Sequence, residues 1–234
     1  SDSGQRDEVF DELSLRISNE YPGKLISFCN IENSGPSMSR NNALVVLENT
    51  DFVAFLDADD FWSGDHLTRA FEVFKAQPDL AICSFNDGLM SSFLGGLRSI
   101  SSVELCLWNP VITSSVVVNM NVVRISEGNL SFPEGQHFAE DYMAWLNIAL
   151  RNRIAIVFGE CWGGRSARAS GESGLSSYLV DVYRGCLKNA CFLITTGHLW
   201  KAILLIFSAT MRFVLKYGDS IFVRLSRRLR KYAT

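Results

Sequence analysis

Three carboxylates fall within four residues at Asp57-Ala58-Asp59-Asp60, directly after the apolar run Phe52–Leu56. Like charges that close repel one another and are costly beside a core unless a cation compensates. Oxygen-only ligands suit Mg²⁺ or Mn²⁺, and Mg²⁺ takes one or two carboxylates together with substrate phosphates. An EF-hand loop does not fit, because Trp62 stands where that loop requires glycine. The plain alternative is a solvated acidic turn that caps the helix behind it.

Two more clusters carry chemistry. In Asn33-Ser34-Gly35-Pro36-Ser37-Met38-Ser39-Arg40-Asn41, glycine and serine permit a tight turn with backbone N–H groups at a helix start, which favours phosphate. Arg40 is placed to reach a phosphate or to orient the acidic cluster. Ordinary helix capping explains the same residues without a ligand. The pair Glu140-Asp141 heads an apolar helix, where the macrodipole stabilises a carboxylate. Beside a bound substrate, Asp141 would instead be a general base for a hydroxyl.

The elements that must position these groups alternate in type. Helical spacing of Val9, Phe10, Leu13 and Ile17 predicts a helix over Asp7–Asn19, followed by a short strand at Lys24–Cys29. A helix is expected over Ser37–Leu47, a buried parallel strand at Phe52–Leu56, a helix over Asp65–Ala76 and a strand at Leu80–Phe85. Ser91–Gly96 reads as a loop, Val111–Val123 as strand-rich, Phe138–Leu150 as a helix and Ile154–Phe158 as a last strand. Gly163–Ser177, rich in Gly, Ser and Arg, reads as a loop, and the chain from Tyr178 onward as helical with a break at Gly218. The pattern implies an α/β fold with a mostly parallel, covered sheet flanked by helices. In such sheets the ligand crevice lies beyond the carboxyl ends of the strands, where the acidic cluster falls.

Composition sets the class. With 234 residues, 47% of them apolar and 20% charged, disorder is excluded and one sizeable domain plus an appendage is expected. The six cysteines show no C-x-x-C spacing and only three histidines accompany them, so a zinc knuckle is excluded and buried, reduced thiols are expected. The N-terminus has neither the basic start nor the apolar run of a signal peptide. The longest apolar stretch, Ala202–Met211, is too short to span a bilayer, which takes ~20 residues. The net charge of −3 conceals an asymmetry: residues 201–234 carry eight Lys or Arg against Asp219 alone. An acidic body with a basic tail points to an anionic partner.

Taken jointly, the three clusters resemble glycosyltransferase family 2, whose fold is GT-A (Rossmann-like). In that family a strand ends in an acidic triplet written flDaDDxW, here Phe55-Leu56-Asp57-Ala58-Asp59-Asp60-Phe61-Trp62. An N-x-G-x-x-x-(A/S)-R-N stretch precedes it, here Asn33 to Asn41, and a Glu-Asp pair opens a later helix, here Glu140-Asp141-Tyr142 through Leu150. The start, Ser1 to Asp7, resembles the end of the family's vDDGSxD segment; the first strand and helix that precede this segment in the family have no counterpart here. The family's Y-R-x-H loop also lacks its His, with Arg165 and Arg168 in that region.

The resemblance implies inverting transfer of a sugar from a nucleotide-diphosphate donor to the hydroxyl of a saccharide or lipid-linked acceptor, in assembly of a bacterial surface polysaccharide or glycolipid. It implies that Asp59, with Asp57, holds Mn²⁺ or Mg²⁺, and that Asp141 takes the acceptor proton. Asp2 would face the base or ribose, Arg40 would support the acidic site, and Arg165 or Arg168 would meet the diphosphate. Two rival readings are a catalytically impaired remnant of the fold and a metal-dependent nucleotidyltransferase, though the latter's nucleotide-cradling loop is not visible. The expected division is a GT-A-like domain over 1–177 and a helical region over 178–234. In its tail, Ile221, Phe222, Leu225 and Leu229 interleave with Arg224, Arg227, Arg228, Arg230 and Lys231. That pattern fits an anionic membrane surface better than nucleic acid; the expected location is the cytoplasm, peripheral on the inner face of the cell membrane. On this reading residues 199–234 lie on the membrane, with Trp200, Ile203, Leu204, Phe207, Met211, Val214 and Leu215 on one face and Leu205, Ile206 and Phe213 widening it.

Overall fold

The computed structural model describes residues 8–20, 26, 35–47, 49–88, 95–159, 162–165 and 175–232, with the backbone alone for 8–10, 13, 165, 175–177 and 219–232. Helices α1 (Glu8–Glu20) and α2 (Gly35–Val46) precede the first described strand, β1 (Phe52–Ala54). The strand expected at Lys24–Cys29 lies outside the described residues but for Ile26. Strand β2 (Asp60–Trp62), helix α3 (His66–Ala76) and strand β3 (Leu80–Asn86) follow, then β4 (Gly96–Ile100) and α4 (Ser102–Leu107). A 3₁₀ turn (Thr113–Ser115) leads into β5 (Val117–Asn119), α5 (Met120–Ile125), α6 (Glu140–Ala149), β6 (Arg153–Phe158) and β7 (Gly163–Arg165). Two helices, α7 (Leu175–Thr195) and α8 (Leu199–Tyr232), close the described chain.

The main sheet has the order β1-β5-β3-β6-β4. β1, β3 and β6 point the same way, but β5 is inserted between β1 and β3 and antiparallel to both, and β4 pairs antiparallel with β6. The sheet is therefore mixed, and of its described ladders only β3–β6 is parallel. The parallel pairing expected of Phe52–Leu56 is corrected accordingly: its described neighbour is β5, in register Phe52↔Asn119 to Ala54↔Val117.

Both faces of the sheet are covered, as its continuous apolar strands require. Along β6, Ile154, Ile156 and Phe158 enter a core roofed by α4, α6, α7 and α8, whereas Ala155 and Val157 enter a second core with Ala70 and Phe74 of α3. Trp145, Phe132 and Phe55 meet edge-to-face in the larger core, at centroid distances of 5.5–5.7 Å.

The structure corrects several local expectations. Val111–Val123 holds one short strand between a 3₁₀ turn and a helix, because Asn119 caps α5 by accepting from the N–H groups of Asn121 and Val122. The loop expected over Gly163–Ser177 contains β7, which pairs antiparallel with β2. α8 runs through Gly218 without a break, and the turn falls earlier, at Gly197, whose φ of +83° suits glycine. Of the four described cysteines Cys83, Cys106 and Cys186 are buried thiols, but Cys191 is exposed.

Candidate active site

The chain leaves β1 at Ala54 and is held in line by a bond from the Phe55 N–H to the Val116 carbonyl (3.1 Å). It then turns, with the Asp60 N–H donating to the Asp57 carbonyl (3.0 Å), and re-enters the small β2–β7 ribbon. The acidic cluster thus occupies a turn between two anchored strands. Asp59 is exposed at its tip and Asp57 is half-buried beneath it.

Arg40 ties this turn to a distant element. Its guanidinium donates through Nη2 to Asp57 Oδ1 (2.9 Å) and through Nη1 to Glu140 Oε1 (3.0 Å), and it lies 5.2 Å from the centre of the Phe132 ring. Burial opposes the arginine's charge, but the hydrogen bond to Asp57 and the charges of Asp57, Glu140 and Asp141 outweigh it and raise its pKa further. Burial, with repulsion from Asp141, pushes the Glu140 carboxyl above its ordinary range, and Arg40 partly offsets this. A planar fork that reaches two carboxylates at once is a task for arginine and not lysine.

Asp141 sits one residue into α6. Its Oδ2 accepts from Thr113 Oγ1 (2.6 Å) and its Oδ1 from its neighbour's N–H, that of Tyr142 (2.6 Å). The 3₁₀ turn that supplies Thr113 reaches the acidic turn as well. Ser114 Oγ accepts from the Asp57 N–H (3.2 Å), and the Ser114 carbonyl accepts from Trp62 Nε1 (2.6 Å). Ser115 is buried and bonds back to β3, donating to the Phe85 carbonyl (2.9 Å). One Thr-Ser-Ser turn therefore holds the carboxylate of α6 and the backbone of the acidic turn in fixed relation. Read within a β-branched run, it was not recognisable as a site element; its cue is three consecutive hydroxyls where a buried strand would carry none.

The entry to α6 is strained and buttressed. Ala139 has φ +57°, and its carbonyl accepts from Asn189 Nδ2 of α7 (3.0 Å). Gln136 bonds to Asn189 Oδ1 (2.9 Å) and to the Phe138 carbonyl (2.9 Å). Gly185 of α7 approaches so closely that a Cβ there would lie 2.2 Å from the Phe138 carbonyl oxygen. On the other side Asn41 pairs twice with the Phe132 backbone (2.8 Å each way), and so docks α2, which carries Arg40.

The structure thus gathers Arg40, Asp57, Glu140 and Asp141, and leaves Asp59 exposed on the same turn. Arg165 lies opposite Asp60 in the β2–β7 register, with only its backbone described. Asp2 and Arg168 lie outside the described residues. Among the described residues no group of three or more His, Cys, Asp or Glu side chains is arranged to enclose a metal ion. Two carboxylates at one exposed turn nevertheless fit a divalent cation shared with a diphosphate, since such cations keep several non-protein ligands.

Residues 7–165 match the sequence profile of glycosyl transferase family 2, and so more than half of the chain is covered. The chain belongs to that family. Succinoglycan biosynthesis protein ExoW of Rhizobium meliloti is 39% identical over 71 residues, which is 27% of this chain and 22% of that protein, so the match spans about a fifth of the relative's length. The mannosyltransferase PcManGT of Pyrobaculum calidifontis, solved in complex with GDP-Man and Mn²⁺, superposes with a TM-score of 0.59 at 14% identity, over 98% of this chain and 71% of that one. That likeness shows the GT-A-like fold: a central sheet flanked by helices, with the C-terminal helices included. The acidic turn, α2 and α6 all fall within the matched span, and they are the elements that Arg40 and the Thr-Ser-Ser turn bring together.

Proposed function

We propose that this family 2 chain transfers a sugar, with inversion, from a nucleotide-diphosphate donor to the hydroxyl of a saccharide or lipid-linked acceptor in assembly of a surface polysaccharide. The observation that carries the reading is the Arg40 bridge, which sets the acidic turn against the head of α6. Asp59 and Asp57 would hold Mn²⁺ or Mg²⁺, which when bound neutralises the departing diphosphate. Asp141 accepts the proton of the acceptor hydroxyl as its oxygen bonds to the sugar's anomeric carbon. The bond from that carbon to the diphosphate breaks, and the nucleoside diphosphate leaves with the electron pair. Thr113 and the Tyr142 N–H hold the carboxylate in place for this transfer, and Arg40 keeps Glu140 and Asp57 from adding uncompensated charge beside the donor.

Two relatives support the finer points. The neighbour with GDP-Man and Mn²⁺ favours a nucleotide sugar with a divalent cation, and the succinoglycan protein favours an acceptor in polysaccharide assembly. The test is calorimetric titration of nucleotide sugars with and without Mn²⁺, paired with turnover. Asp59→Asn should remove metal-dependent donor binding. Asp141→Asn should leave donor binding intact and lower turnover by ~10²-fold or more, as loss of a general base does. A wild-type chain that binds no nucleotide would favour a remnant of the fold that has lost its donor site.

A further inference from the structure

Helix α8 buries one face, made largely of small side chains with Leu205, and leaves a row of large apolar ones outside. Ala202, Leu205, Ser208 and Ala209 are buried against the domain. Ser208 Oγ donates to the Cys106 carbonyl (2.6 Å) and Arg212 Nη1 to the Leu107 carbonyl (2.6 Å), both on α4, and Thr210 shares a hydrogen bond with Tyr183 of α7 (3.1 Å). These bonds fix the rotation of the helix. They also correct the sequence reading of its apolar face, because Leu205 is fully buried, Leu204 packs against the core, and Phe213 stacks on Tyr217 and lies tilted against Tyr183. What remains outside is a stripe of Trp200, Ile203, Phe207, Met211, Val214 and Leu215, each between 48% and 62% exposed. At the helical rise this stripe is about 22 Å long. A helix that only had to cover the domain would place these side chains inward and polar ones outward.

Charge selects the occupant. Residues 201–234 carry a formal +7, while the rest of the chain is acidic. A second copy stacked through α8 would bring like charge against like charge, and an acidic surface would not. Among the described residues no helix is long and apolar enough to cross a membrane. We infer that the outer face of α8 seats this protein on a bilayer bearing anionic headgroups, with its apolar stripe at the acyl boundary and the helix parallel to the surface. The inference deepens the reading of a lipid-linked acceptor, and its test does not depend on turnover.

Truncation before α8 is a poor test, because it strips Ala202, Leu205 and Ala209 from the core. The full chain is instead mixed with phosphatidylcholine vesicles, with and without phosphatidylglycerol, and sedimented. Binding should require the anionic lipid, fall away in high salt, and drop ~10-fold or more in W200E/F207E. Should that variant misfold, quenching of tryptophan fluorescence by brominated lipid in the wild-type chain, diminished in Trp200→Phe, reads the same insertion. Indifference of the wild-type chain to phosphatidylglycerol, equal binding by a folded W200E/F207E, or no quenching assignable to Trp200 would overturn the inference. So would a lipid-free dimer that W200E/F207E dissolves. Donor titration on the same samples keeps the two questions apart: lost donor binding with intact vesicle binding faults the transferase reading alone.

Discussion

Arg40 and Thr113 do different work at the same site. Arg40 compensates charge: its side chain is only 16% exposed and Glu140's only 10%, so removing the cation leaves a buried carboxylate unpaired. Arg40→Met should therefore destabilise the chain by about 3 kcal/mol, as loss of one partner of a buried pair does, measured by urea unfolding. The double change R40M/E140Q should recover part of that loss, because the orphaned charge is gone. Thr113 instead fixes direction, since among the described residues its hydroxyl is the only side chain donating to Asp141. Thr113→Val should lower kcat ~10-fold, about the worth of one hydrogen bond to a charged group, with the donor's KM unchanged. Thr113→Ser should restore most of it. A fall in donor affinity with kcat intact would instead place Thr113 in the donor site.

β2 hangs on a packing element that no site motif contains. His66 opens α3, buried between Trp62 of β2 and Phe85 of β3, with centroid distances of 5.1 and 5.0 Å and, among the described residues, no hydrogen-bond partner for either ring nitrogen. Burial, with repulsion from Arg69, lowers its pKa from 6.5 to about 4, against a smaller opposing pull from Asp65. The unfolded chain then binds a proton near pH 6.5 that the folded chain refuses until about pH 4. Stability should therefore fall as pH drops through that window, by at most about 1.4 kcal/mol per pH unit from this group. His66→Phe should flatten the slope of the urea midpoint between pH 7 and 5; an unchanged slope would assign it to other groups. Legibility in the sequence follows the same logic of visible and invisible forces. β1 and the acidic turn could be read directly, because an apolar run stopped by carboxylates has few alternatives, and α3, β3, α6 and β6 carry strong periods of their own. β4 was missed since it is an edge strand exposed at Gly96, Leu97, Arg98 and Ser99. α4 likewise has no counterpart in the sequence reading, and its one local cue is the capping box Ser101–Glu104. Its six residues are too few for periodicity. The insertion of β5 and the role of Thr113 rest on pairings across tens of residues, which no local pattern encodes.

At the scale of the whole molecule, α7 and α8 are structural members of the domain as well as a tail. Cys186, Ala190, Leu193, Ala202, Leu205 and Ala209 join the same buried cluster as Leu105, Trp145 and Ile156. Asn189 and Gly185 also hold the strained entry to α6, so the head of that helix depends on α7. A division at residue 177 should therefore not give a unit that folds by itself. Leu193 and Leu205 are worth about 1.5–3 kcal/mol each, the smaller buried side chains add to that, and a domain's whole stability is about 5–15 kcal/mol. A chain ending at residue 177 should consequently lack a cooperative thermal transition and bind no donor. Among the described residues the last buried side chain is that of Ala209, and a chain ending at Gly218 keeps every core side chain named above, so it should retain a cooperative transition. It would also keep the apolar stripe of α8 while losing Arg224, Arg227, Arg228, Arg230 and Lys231. Its vesicle binding should weaken and lose most of its salt dependence, with donor binding untouched. Scanning calorimetry of the three chains decides the matter: a cooperative transition in the chain ending at 177 would make the C-terminal helices an appendage after all, and their contacts with α4 and α6 dispensable.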